Sequence, residues 1–226
     1  MADTTTATKP KAWSYSALTS YETCPRRHYE TKVIKRVKEP ETEALRWGSA
    51  VHKALEMRVK KDKPLPTGMT QWEPLVQKIA NVGGFTLTES QYALDENFNS
   101  VHWFHKDVWM RMILDFGKLR DTSLLALDYK TGKVKEDIDQ LKLFAAVMFK
   151  IYPDVEKIVT GYVWLKDKKV TKETFQREQL PDLWGAFIPR VNRLQAAHDQ
   201  NDWPEKPSGL CRAWCPVTAC QFNGRH

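Results

Sequence analysis

Apolar residues recur at two different spacings along the chain. In EALRWGSAVHKALEMRVKK (43–61), Leu45, Ala50, Val51, Ala54, Leu55 and Val59 fall near the 3.6-residue period of an amphipathic helix. WSYSALTSYETCPRRHYE (13–30) opens on Ser and Thr cap residues and predicts a short helix ending at Cys24-Pro25. DKPLPTG is a loop, and residues 71–80 predict a further helix closed by Gly83-Gly84. From Phe85 the spacing shortens. FTLTESQYAL, HWFHKDVWMRMILDFGKL and SLLALDYKTG read as three or four strands, with turns near Asn97–Ser100 and Arg120–Ser123. DIDQLKLFAAVMFKIYP (137–153) predicts a helix stopped by Pro153. KIVTGYVWLKDKKVTKETF predicts a strand pair, and LPDLWGAFIPRVNRLQAAHDQ a long helix kinked near Pro189. The order of elements defines an α/β core with helical flanks at both ends.

The strand SLLALDYKTG carries the first candidate chemistry. Its run Leu124, Leu125, Ala126, Leu127 suits a strand covered on both faces, and it ends in Asp128-Tyr129-Lys130. Side chains two apart in a strand share a face, so Asp128 and Lys130 project together. Asp115 similarly ends the apolar run MRMIL, and adjacent antiparallel strands would bring it to Asp128. Two carboxylates at one place repel unless a cation joins them, and oxygen ligands suit Mg²⁺ or Mn²⁺. Lys130 beside such an ion is placed to stabilise negative charge on a phosphate. An isolated Asp-x-Lys triplet is also what a surface ion pair looks like.

Composition narrows the class. The 226 residues are 42% hydrophobic and 28% charged, in the range of soluble globular proteins. No apolar run reaches a membrane span. The start, MADTTTATKPK, lacks a signal-peptide core, so residues 1–12 are expected to be a disordered lead-in, residues 13–226 one domain, and the compartment the cytoplasm. The net charge of +7 favours an anionic partner, nucleic acid first. A basic run that includes Arg26, Arg27, Lys35, Arg36 and Lys38 would serve it, or would be a solvated helix face. The four cysteines are Cys24 and, far away, Cys211, Cys215 and Cys220. Short thiolate spacing with one remote partner suits an iron–sulfur cluster first, zinc second, and a disulfide or free thiols third.

Taken in order, these residues resemble the PD-(D/E)XK nuclease superfamily, in particular its RecB-type branch of CRISPR-adaptation nucleases and phage exonucleases. GSAVH matches a Gly-x-x-x-His motif, ILDFGKL supplies the first Asp, and ALDYKTGK matches the Asp-x-Lys motif. QLKLF matches a Gln-x-x-x-Tyr motif with Phe144 in place of the Tyr. The resemblance implies a restriction-endonuclease-like core, with a mixed sheet flanked by helices and the termini joined by a cysteine-ligated centre. It implies that His52, Asp115, Asp128 and the Tyr129 carbonyl bind a divalent metal, that Lys130 is catalytic with Asp115 and Asp128, and that Gln140 positions DNA or the lysine. Glu89 or Glu96 would add an outer carboxylate. Cys24, Cys211, Cys215 and Cys220 would hold a four-iron four-sulfur cluster, with Cys215 displaced by one place from the usual spacing. The implied activity is metal-dependent hydrolysis of DNA, most simply as an exonuclease in recombination, repair or phage DNA processing. A non-catalytic DNA-binding module of a recombination or adaptation complex is the alternative.

Overall fold

A computed structural model describes residues 12–134 and 136–224. The expected disordered lead-in thus lies almost entirely outside the described residues. The chain runs α1 (Tyr15–Thr23), α2 (Pro25–His28), α3 (Glu43–Lys61), α4 (Glu73–Ala80), β1 (Phe85–Leu94), β2 (Ser100–Val101), β3 (Met110–Arg120), β4 (Ser123–Lys130), α5 (Asp139–Ile151), β5 (Lys157–Trp164), β6 (Lys169–Gln176) and α6 (Leu180–Gln200). It divides into two compact units, one of residues 41–185 and one of residues 1–40 with 186–226. No helix among the described residues is long and apolar enough to cross a membrane.

Unit 41–185 contains the whole six-stranded sheet, in the order β2-β1-β3-β4-β5-β6. All neighbours are antiparallel except β4 and β5. Parallel neighbours need a crossover, and α5 supplies it. Its Leu141 and the run Leu143 to Phe149 are buried almost all round, which explains a sequence more apolar than that of a surface helix. Arg177 closes its C-terminal end by donating to the carbonyls of Phe149 at 3.2 Å and Tyr152 at 2.7 Å.

On the core side, Val51 and Leu55 of α3 and Val76 and Ile79 of α4 bury with Phe116, Leu127, Tyr129 and Val163. The α3 helix starts where Thr42 Oγ1 accepts from the Leu45 N–H at 3.2 Å and ends at Asp62 in the left-handed region, φ 52°. One expectation for this helix fails. Leu45 is exposed rather than buried. A Cβ on Gly48 would meet only Thr131 Oγ1, at 3.5 Å, an ordinary contact.

The predicted strand over HWFHKDVWMRMILDFGKL is shorter than expected. Residues 102–109 form turns instead, because His102 Nδ1 and His105 Nδ1 accept the backbone N–H groups of Phe104 and Asp107.

The smaller unit buries Trp13, Leu18, Phe187, Val191, Leu194, Trp203 and Val217. Trp203 stacks on Tyr29 and His28, with ring centroids at 5.2 and 5.9 Å. Glu30, only 1% exposed, is held between Arg26 and Arg36.

Candidate active site

The antiparallel register of β3 and β4 pairs Phe116 with Leu127, so one step further Asp115 faces Asp128, as the sequence anticipated. Asp115 Oδ2 accepts the backbone N–H of Tyr129 at 2.7 Å, which fixes the carboxylate against the end of β4. On the other side of β3, the ladder to β1 pairs Thr88 with Phe116 and Ser90 with Leu114. Between them Glu89 breaks the ladder at φ 47° and turns its carboxylate toward Asp115. Of the two glutamates left open by the sequence, that local break brings Glu89 beside Asp115.

His52 of α3 completes the group. Its Nε2 lies 2.9 Å from the Tyr129 carbonyl oxygen. A carbonyl only accepts, so Nε2 carries the proton of that bond. The other nitrogen, Nδ1, lies 3.2 Å from Asp115 Oδ2 and 3.9 Å from Glu89 Oε1. In the neutral imidazole this places a lone pair against two carboxylates. Only a positive charge resolves that contact, as a second proton or a metal ion. Burial by itself lowers the His52 pKa, but the hydrogen bond and charge of Asp115, followed by Asp128 and Glu89, outweigh it and leave the pKa raised. Burial and the neighbouring Asp115 push the Glu89 carboxyl up to about 7. Ligand atoms of His52, Glu89 and Asp115 all lie within 4.8 Å of one another, the one such group among the described residues. One imidazole nitrogen and two carboxylates fit a divalent cation of the Mg²⁺ or Mn²⁺ kind.

Asp128 lies outside that group. Its Oδ2 is 2.6 Å from Lys130 Nζ, and its Oδ1 accepts from Gln140 Nε2 at 3.2 Å. Lys130 Nζ also donates to Gln140 Oε1 at 2.9 Å and sits 5.0 Å from the centre of the Tyr162 ring. Gln140, in the first turn of α5, therefore ties the lysine to the aspartate. Burial, then the charge of Asp115, raises the Asp128 pKa, and the Lys130 ammonium offsets part of the rise. The Tyr129 carbonyl, expected to face a metal, accepts the His52 hydrogen bond in this structure and so orients the imidazole. A cleft of ≈590 Å³, lined in part by Gly48, Ser49, His52, Glu89 and Thr131, opens beside the group.

The other predicted site residues lie in the smaller unit. Cys24, Cys211, Cys215 and Cys220 are unbridged and line one cavity of ≈20 Å³, although the sequence separates the first from the rest by almost the whole chain. Asn223 supports the cysteine loop by donating to the carbonyls of Cys215 and Val217 at 3.1 and 3.0 Å. Arg26 and Arg27, expected on DNA, border this same cavity, and their charges are engaged by Glu30 and Glu39 at 2.9 and 2.8 Å.

The strand-borne Asp128-x-Lys130 thus lies beside the His52–Glu89–Asp115 group. The model of the PD-(D/E)XK nuclease superfamily matches residues 12–113, a little under half of this chain. The match includes His52 and Glu89 and stops two positions before Asp115, so Asp115, Asp128, Lys130 and Gln140 are placed by geometry alone. No curated protein matches the chain. Among solved structures, a candidate exonuclease from Eubacterium rectale is 14% identical, covering 87% of this chain and 90% of its own, with a TM-score of 0.47. The protein SSO0001 is 10% identical, covering 94% and 87%, with a TM-score of 0.40.

Proposed function

We propose that the protein is a divalent-metal-dependent deoxyribonuclease that degrades DNA from its ends. The observation carrying this reading is the His52 Nδ1 lone pair aimed at two carboxylates, with an oriented lysine on the adjoining strand end. His52, Glu89 and Asp115 hold the cation, and the Tyr129 carbonyl fixes the imidazole. A divalent ion held by these residues would supply a water of lowered pKa and positive charge against the phosphate. Lys130, held by Asp128 and Gln140, stabilises the charge that grows on the phosphoryl oxygens. The preference for ends follows the resemblance to phage exonucleases. End-labelled linear DNA and covalently closed circles, each with Mg²⁺, Mn²⁺ or EDTA, test both parts. Metal-dependent loss of the linear DNA with persistence of the circles is expected. Cleavage that survives EDTA would remove the metal, and rapid nicking of circles would remove the end preference.

The four cysteines are proposed to share one iron–sulfur centre, with zinc as the second choice. Their convergence on one cavity supports this reading. Protein purified without oxygen should be brown, with absorbance near roughly 400 nm, and Cys24→Ser should lower the melting temperature as much as Cys220→Ser. A colourless, metal-free protein with unequal and mild cysteine variants would dismiss the centre.

A further inference from the structure

A second cavity, of ≈480 Å³, lies at the opposite end of β4 from Asp128 and Lys130 and shares no residue with the candidate active site. Its floor is apolar, formed by Ile79, Leu125, Leu127 and Val159. At its rim Val82 and Val170 are 40% and 42% exposed, two large apolar side chains left open to solvent. Five cations line it as well: Lys78, Lys118, Arg120, Lys157 and Lys172. Among the described residues, no carboxylate does.

Lys118 is the telling residue. It is only 8% exposed, and its ammonium donates to a neutral partner, Thr86 Oγ1, at 2.8 Å. Among the described residues no carboxylate pairs with it. Lysines this buried are almost always paired, because taking an ammonium out of water is costly. Arg120 has Asp121 at 3.5 Å, but both are exposed, so that pair contributes little. The cavity thus joins an apolar floor to a ring of unbalanced positive charge. A DNA backbone would answer the charge and leave the floor bare. A fatty carboxylate would fill the floor and bring one charge to five cations. An acidic peptide with an apolar side chain satisfies both.

We propose that this cavity docks an acidic peptide segment of a partner protein, with an apolar side chain on Leu125 and Val159 and its carboxylates on Lys118 and the neighbouring cations. The proposal does not rest on the nuclease reading, since peptide binding and DNA cleavage are measured separately.

The test is fluorescence anisotropy in EDTA, with a labelled peptide of acidic residues ending in a leucine–phenylalanine pair. Binding should weaken with salt, and a control with serines for the apolar pair should bind at least roughly tenfold less tightly. Lys118→Met should weaken binding by roughly tenfold or more, with recovery in Lys118→Arg, because a charge-assisted hydrogen bond is lost and regained. Val170→Glu, at an exposed position that leaves folding intact, should abolish binding. Cleavage of linear DNA by Lys118→Met and Val170→Glu should stay at the wild-type rate. Equal binding of the serine peptide, or wild-type peptide affinity in Val170→Glu, would overturn the proposal. So would tighter, Val170-dependent binding of dodecanoate or of a single-stranded oligonucleotide than of the peptide.

Discussion

Replacing Glu89 by Gln should have two opposite effects that only a metal-ligating carboxylate would give. Without metal, the protein should become more stable. Burial and the charge of Asp115 hold the Glu89 carboxyl at about 7 against an ordinary value of 4.5, so above neutral pH the ionised group opposes folding. The shift corresponds to at most about 3 kcal/mol at 1.36 kcal/mol per pKa unit. The side chain is 28% exposed, so about 1–2 kcal/mol is the expected gain after solvent screening. With metal, the same substitution should cost affinity. Removing one of two anionic ligands from the His52–Glu89–Asp115 group should weaken Mn²⁺ binding roughly 10- to 100-fold, about 1.4–2.7 kcal/mol, since relief of the Glu89–Asp115 repulsion cancels part of the lost attraction. Asp128→Asn is the control. Its carboxylate contacts Lys130 and Gln140 and should change Mn²⁺ affinity by less than roughly threefold. Titration of Mn²⁺ by calorimetry or electron spin resonance, with urea unfolding at pH 8 in EDTA, reads both effects. If Asp128→Asn loses Mn²⁺ and Glu89→Gln keeps it, the assignment of the ion to the Glu89 side of the site is wrong.

Lys130→Met should abolish phosphodiester hydrolysis while keeping Mn²⁺ affinity near wild type, because the lysine touches Asp128 and Gln140 rather than the ligand group; coincident loss of metal would refute this division of roles. Gly161→Ala should cost roughly 1–3 kcal/mol in urea unfolding, since a Cβ there would sit 2.8 Å from the Thr171 carbonyl oxygen of β6, and an unchanged midpoint would show that the two strands can part. His28 links pH to the stability of the smaller unit. Burial, then His198 and Lys32, lower its pKa from 6.5 to about 4. Its neutral form therefore supports folding fully above 6.5, and that support is lost as pH falls toward 4, with about 2 kcal/mol gone between pH 7 and pH 5. His28→Phe should remove that part of the pH dependence, and identical pH profiles for variant and wild type would exclude His28 as its source.

Local pattern determined much of this protein. The bounds of α3, β1 and α6 follow from periodicity and from caps such as Thr42, which act within a turn or two of chain. The hairpin joining β3 to β4 is also local, so the meeting of Asp115 and Asp128 was legible, as was the pairing of Asp128 with Lys130 two residues on. The resemblance tied Gln140 to DNA or the lysine, and α5, beginning shortly after β4, brings its side chain to Lys130. Tertiary structure decided the rest. That Glu89 stands beside Asp115 depends on a break in the β1–β3 ladder, which sequence periodicity does not reveal. The Tyr129 carbonyl faces His52 because α3, distant in sequence, crosses the end of β4. The histidine-held turns at 102–109 replace an apolar stretch that alternation alone extends as strand. The cationic cavity around Lys118 gathers residues from distant parts of the chain. Spacing along a chain fixes which side chains share a face of one element. Which faces then meet, and which charges are left unbalanced there, depends on long-range packing.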